Sequence, residues 1–417
     1  EEITKTQEGS ENGIWYFYVK DAAGNVNKAS EENKIEIGNI DKTLPIISVE
    51  PQNKEVCKNT NVTIHVTDEG GSNLSDSNQY EYQLGESNQN IPTGNWLKYT
   101  NNVVFNIGDN ITGTRYLWVK EVKDNAQNIS NKEGTKVSTY HVFGPYVFDN
   151  SAPEVTFTPN GNDTYSKTQK TKVTVTDVGT SNINENELKY KWVVQNEAEP
   201  AENEIDTTFI NGANIENAKK VTGKYYLYVL AKDNLGNTKK AKSELFYLDN
   251  TNPNSEAPVK KVATSSSITV EFKQTDSHSQ IDNNTIYYGK RLKGTNDWTW
   301  EKDANLTHKF KGLVKETTYE ICTKASDNAG NGEQISNIVE ITTEKIDKPT
   351  ITTDPNAPTN KKVKVTVTYP EIDGGKYKYS EDGINYIEVS LNDGEYVTYI
   401  EAVSYTHLRA HETKANL

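Results

Sequence analysis

Residues 223–239 read GKYYLYVLAKDNLGNTK, an aromatic and apolar run that halts at Asp233 and passes through Gly236 and Asn237 into lysines. Tyr225, Leu227, Val229 and Ala231 alternate with Tyr226, Tyr228 and Leu230, the period-two pattern of a strand with two distinct faces. Tyrosine and β-branched residues suit such a ladder. Asp233 is placed to accept N–H groups from the residues after it, and Gly236 to take the positive φ of a tight turn. The chain then returns over Ser243 to Leu248. This stretch predicts a strand, a turn and a return strand.

The phrase is written four times. Residues 13–19 lead to Asp21-Ala-Ala-Gly-Asn25, residues 113–119 to Asp124-Asn-Ala-Gln-Asn128, and residues 319–325 to Asp327-Asn-Ala-Gly-Asn331. The aspartates recur about every 100 residues, the size of one β-sandwich and too long for a solenoid repeat. Gln127 stands where the other copies have glycine, which predicts a longer or differently shaped turn there. Val119 is also one residue further from its aspartate than Val229 is. That odd step predicts a β-bulge at Lys120-Glu121, because side chains alternate with period two.

A second element recurs between copies: Ile40-Asp41-Lys-Thr-Leu-Pro45, Phe148-Asp149-Asn-Ser-Ala-Pro153 and Leu248-Asp249-Asn-Thr-Asn-Pro253. Proline cannot donate to a ladder, and Asp, Asn, Ser and Thr favour turns, so these read as short linkers with little slack. The resulting division is a C-terminal half-module at 1–43, modules at 44–150, 151–254 and 255–346, and a truncated module at 347–402. Modules joined in this way predict an elongated rod.

Composition narrows the functional classes. The net charge is −14 and the isoelectric point about 5.1, which disfavours nucleic acid and anionic bilayers as partners. No run is long or apolar enough to span a membrane. Mean hydropathy is −0.80, yet 24 Tyr and 6 Trp remain, which suits thin sandwiches better than one large core. Cys57 and Cys322 fall in different modules and imply no disulfide framework. Met is absent and only Arg115, Arg291 and Arg409 are arginine, so the sequence reads as an internal fragment encoded by an A/T-rich bacterial gene. The tail 403–417 concentrates His407, Arg409 and His411. It reads as non-native, resembling a translated sequencing adapter.

The linker pattern, the early strands Val62-Thr-Ile-His-Val-Thr-Asp68 and Val173-Thr-Val-Thr-Asp177, and the late Asp-x-x-Gly-Asn phrase together resemble the bacterial Ig-like repeats of Gram-positive surface and secreted proteins. Gly312-Leu-Val-Lys-Glu-Thr-Thr-Tyr-Glu-Ile321 resembles the corner of fibronectin type III domains, with Leu313, Thr317 and Tyr319 in place and Lys315 where that family has proline. Phe272 stands where the family carries tryptophan. The resemblance implies an all-β chain of tandem Ig-like and fibronectin III-like sandwiches. It also implies a tyrosine hydroxyl bonded back to the chain. Counting inward from Tyr319 places Ile321, Thr323 and Ala325 in the core and turns Cys322 outward.

Two sets of residues stand out as site candidates. Asp41, Asp149 and Asp249 could contribute oxygens to Ca²⁺, but each linker offers a single carboxylate, which favours turn and cap roles over a metal. Trp298 and Trp300 share a strand face and could stack a sugar ring, with Trp96 similarly placed in an earlier module; core or cross-strand packing is the commoner use. No phosphate loop, nucleophile elbow or metalloprotease helix occurs, so neither catalysis nor a cofactor is expected. The sequence thus predicts a non-catalytic stalk of an extracellular or cell-surface bacterial protein, adhesin-like. Its unknown protein or glycan partners would be met through domains outside these residues. The alternatives are a carbohydrate- or host-protein-binding module and an accessory part of a secreted glycoside hydrolase or protease.

Overall fold

A computed structural model of the chain describes residues 11–400, apart from 28–29, 77–78, 133–134, 218–219, 371, 373–375, 381 and 393–394. The predicted non-native tail at 403–417 lies outside the described residues. Among the described residues the chain is built of strands, and its only helical segments are three-residue 3-10 turns. It divides into two compact units. The first comprises Glu1–Asn160, Thr171–Ile215 and Tyr226–Ser243, and the second Gly161–Lys170, Glu216–Tyr225 and Glu244–Leu417.

The first unit holds a sandwich of two sheets whose strands run between Ile46 and Phe148. One sheet orders Asn131–Lys132, Ile46–Glu50, Thr60–Thr67 and Val104–Ile107. The other orders Thr135–Val137, Tyr140–Phe148, Gly113–Lys120, Glu81–Gly85 and Leu97–Lys98, with Lys54–Cys57 joined to Tyr140–Phe148. Ile47, Val62 and Ile64 of the first sheet meet Leu117, Val119 and Tyr146 of the second in one buried cluster. Two apolar sheet faces closing on each other define the fold. Before this sandwich, Gly13–Tyr16 pairs with Lys34–Ile37.

The ladder of Gly113–Lys120 ends at Lys120, and the core positions run Leu117, Val119, then Val122. One residue is therefore absorbed at Lys120-Glu121. Ser130 closes the gap: its Oγ accepts the Val122 N–H at 3.0 Å and its own N–H donates to the Val122 carbonyl at 2.8 Å. Ser243 with Leu227 and Ser336 with Thr323 repeat this reciprocal pair, each where the return strand steps between two segments.

The strand Gly223–Lys232 carries the alternation read from the sequence, with Tyr225, Leu227, Val229 and Ala231 all buried. Its other face is covered as well, since Tyr228 and Leu230 pack with Val193 and Ile205.

The second unit holds a sandwich of two sheets whose strands run between Val259 and Thr342. Val259–Ala263, Ile268–Glu271 and Thr307–Phe310 face a sheet ordered Thr299–Lys302, Tyr287–Leu292, Thr318–Ala325, with Gln334–Ile335 and Val339–Thr342 beyond. Phe272 joins Ile268, Val270, Tyr288 and Phe310 in the core. The Val314 N–H donates to the Tyr319 hydroxyl at 3.0 Å, so the tyrosine corner forms with Lys315 in place of proline. Cys322 corrects the sequence reading. It lies on the face opposite Ile321 but is 1% exposed. It pairs with Gly289, over which the Trp300 ring closes, and burial pushes its thiol up to about 12. Further along, Thr350–Asp354, Val363–Thr368 and Glu395–Ile400 form one sheet, and Tyr377–Tyr379 pairs with Ile387–Val389.

Candidate functional site

Each Asp-x-x-Gly-Asn turn is closed by the same bonds. In the four copies the asparagine N–H donates to Oδ1 of Asp21, Asp124, Asp233 or Asp327 at 2.7, 2.7, 2.8 and 2.8 Å, and its side-chain amide donates to the other carboxylate oxygen. The residue before the asparagine donates to the aspartate carbonyl at 3.1 Å in all four. Gln127 makes that bond too, at φ 67°, against 80° for Gly236. The predicted longer turn is therefore absent. The aspartate's hydrogen bonds fix the loop strongly enough to hold a glutamine in left-handed backbone.

The asparagine has a second amide proton, and it reaches the linker. Asn128, Asn237 and Asn331 donate to the carbonyls of Asp41, Asp149 and Asp249 at 2.9, 3.1 and 3.1 Å. Each linker aspartate also caps its own turn, accepting from Thr43, Ser151 or Thr251 two residues on. Its second oxygen is gripped by the loop after the early strand: by Ser72 N–H, by Thr180 and Ser181 N–H, or by Ser279 N–H and hydroxyl. Gly70 and Gly179 make this approach possible. A Cβ on Gly70 would lie 2.2 Å from Asp41 Oδ2, and one on Gly179 2.0 Å from Asp149 Oδ1.

The opposite side of the linker is fastened as well. Asp149 N–H donates to the Cys57 carbonyl, Asn150 N–H to Thr112 Oγ1, and the Asn150 amide to the carbonyls of Lys58 and Ile111. Asp249 N–H reaches the Ser166 carbonyl, Asn250 N–H reaches Thr222 Oγ1, and the Asn250 amide reaches the Lys167 carbonyl.

The expectation of one carboxylate per linker is corrected here. Asp41 meets Asp68 and Asp124, and Asp149 meets Asp177 and Asp233, with ligand atoms within 4.8 Å of one another; Asp249 meets Asp276 and His278. Folding brings the end of the early strand and the start of the late turn onto the linker, which spacing along the chain does not reveal. The recurrence of an aspartate at the end of each early strand was the available signal. Burial pushes the Asp149 carboxyl up, but Ser181 and the N–H donors outweigh it and hold the group below its ordinary value. The same balance, led against burial by Ser279, lowers Asp249. Ser72 and Thr43 lower Asp41.

Trp298 and Trp300 lie outside the core on one sheet face, half-buried and stacked on each other with centroids 5.7 Å apart. Arg291 sits over the Trp298 ring at 4.6 Å and Lys324 over Trp300 at 4.9 Å. Trp96 is placed alike, stacked on Tyr140 at 4.9 Å with Lys120 over it. The arrangement is aromatic stacking capped by cations.

No family model matches the chain, and no curated protein matches it. Among solved structures it is similar to domains A168-A170 from titin, at 11% identity and a TM-score of 0.29, covering 72% of this chain and 100% of that one. It is also similar to the chicken CNTN1 FN1-FN3 domains, at 15% identity and a TM-score of 0.25, covering 72% and 99%. Likeness of this degree assigns neither a family nor a function.

Proposed function

We propose that the chain is a spacer, a non-catalytic series of Ig-like and fibronectin III-like sandwiches that holds other domains of an extracellular bacterial surface protein away from their base. The observation that carries this reading is the linker dipeptide. Asp149-Asn150 and Asp249-Asn250 are each bonded through backbone and side chain to segments before and after them. A flexible tether would leave those groups to water, whereas a spacer gains from a fixed joint. The flat faces of Trp298 and Trp300 are taken up by each other, Arg291 and Lys324, which favours the spacer over a sugar-binding face. Small-angle scattering on the full chain tests the reading. A compact globule of 417 residues has a radius of gyration of about 22 Å. The spacer requires at least roughly one and a half times that. A value near the compact one would overturn it.

A further inference from the structure

The Asp41–Asp68–Asp124 and Asp149–Asp177–Asp233 sets each bring three carboxylates together, and among the described residues no lysine, arginine or histidine pairs with any of the six. Three such charges in one spot, with Asp124, Asp149 and Asp233 buried, repel one another strongly unless something positive joins them. A second observation points the same way. Ser181, 8% exposed, turns its hydroxyl to Asp149, and its Oγ lone pairs accept from no donor. In the other set the Asp68 Oδ2 and Ser72 Oγ atoms are also buried, and neither accepts from a donor. Oxygen lone pairs left over in both places, beside carboxylates that no cationic side chain neutralises, are what a hard cation takes.

We propose that each of these two sets binds one divalent cation of calcium's size and that the Asp249 set does not. Ca²⁺ bonds oxygen at about 2.3–2.6 Å, so two of its ligands stand up to about 5 Å apart, whereas Mg²⁺ at about 2.0–2.1 Å draws them to about 4 Å. The carboxylate atoms of each set lie within 4.8 Å of one another, inside the span that Ca²⁺ can bridge, and an irregular all-oxygen shell suits the flexible geometry of Ca²⁺ better than the strict octahedron of Mg²⁺. The lone-pair count also permits it. Asp149 Oδ1 accepts only from Ser151, Asp233 Oδ2 only from Asn237, and Asp177 one N–H on each oxygen, so every member keeps a free site. The serine Oγ supplies a fourth oxygen, and water completes the shell. The Asp249 set is built differently. Thr222 and Ser279 donate their hydroxyls and Thr251 and Ser279 their N–H groups, which fill all four lone pairs of the linker carboxylate. A hydrogen-bonded lock there replaces the ion.

Equilibrium dialysis of the full chain, stripped with chelator and returned to CaCl₂ at up to about 10 mM, tests this directly. The expected result is about two Ca²⁺ per wild-type chain, about one for Asp177→Asn, none for Asp68→Asn combined with Asp177→Asn, and still two for Asp276→Asn. Circular dichroism accompanies each variant. Should one fail to fold, wild-type melting decides: Ca²⁺ raises it and Mg²⁺ at the same concentration raises it less. Absence of bound Ca²⁺ in the wild type, two ions retained by the folded double variant, or equal melting shifts with the two metals overturns the proposal.

Discussion

Asn237 and Asp149 stand 88 residues apart, and the Asn237 amide joins them, donating to the Asp149 carbonyl at 3.1 Å and to the Asp233 carboxylate at 2.7 Å. One side chain with two amide protons thus closes its own turn and fastens the linker. Aspartate has no protons to donate, and alanine neither donates nor accepts. Asn237→Ala strands a buried carbonyl and a carboxylate oxygen together. The expected loss is about 2–3 kcal/mol, seen in calorimetry as a lowered transition. An unchanged transition would mean that water satisfies both acceptors.

Gln127 holds a left-handed φ that glycine adopts freely in the other copies. Gln127→Gly should therefore stabilise the chain by roughly 0.5–1 kcal/mol, an uncommon direction for a substitution to glycine. Urea denaturation measures it, and a loss of stability would show that the Gln127 side chain contributes something the turn bonds do not.

Adjacent glycines supply a sharper contrast. A Cβ at Gly70 would strike the Asp41 carboxylate at 2.2 Å, while one at Gly71 meets nothing within 4 Å. Gly70→Ala is expected to cost about 2 kcal/mol or more, and Gly71→Ala to stay within about 0.5 kcal/mol. Equal melting temperatures for the two variants would mean that the linker carboxylate does not sit against Gly70.

Asp249 gives a pH dependence whose sign follows from its lowered carboxyl. Its folded form releases the proton more readily than the unfolded chain, whose carboxyl keeps the ordinary value of 3.8. The contribution to stability is thus full above that value and drains away as the pH falls through the lower folded one. Ser279→Ala removes the hydroxyl that bonds Asp249 at 2.6 Å. The variant should be less stable at neutral pH by about 1–2 kcal/mol and begin its acid loss at higher pH than the wild type. Superimposable melting profiles between pH 2 and 7 would contradict the assignment.

The strand, turn and return of residues 223–248 were legible in the sequence because alternation and turn chemistry are local. So were the step at Lys120-Glu121 and the tyrosine corner at Tyr319, which are matters of counting along one strand. What escaped was tertiary. Nothing near Asp177 says that it will meet Asp149 and Asp233, and nothing near Cys322 says that Trp300 will close over Gly289 beside it. Gln127 misled for a related reason: local preference argued against the turn, and four hydrogen-bonding groups around Asp124 overrode it.

The claim that the linkers are fixed joints is tested most directly by amide hydrogen exchange across residues 149–151 and 249–251. All six amides donate to a protein acceptor: Asp149 to Cys57, Asn150 to Thr112, Ser151 to Asp149, Asp249 to Ser166, Asn250 to Thr222 and Thr251 to Asp249. They should exchange as slowly as the amides of the buried strand Gly223–Lys232, opening only when a sandwich opens. Exchange at the rate of a free peptide, with that strand still protected, would contradict the account.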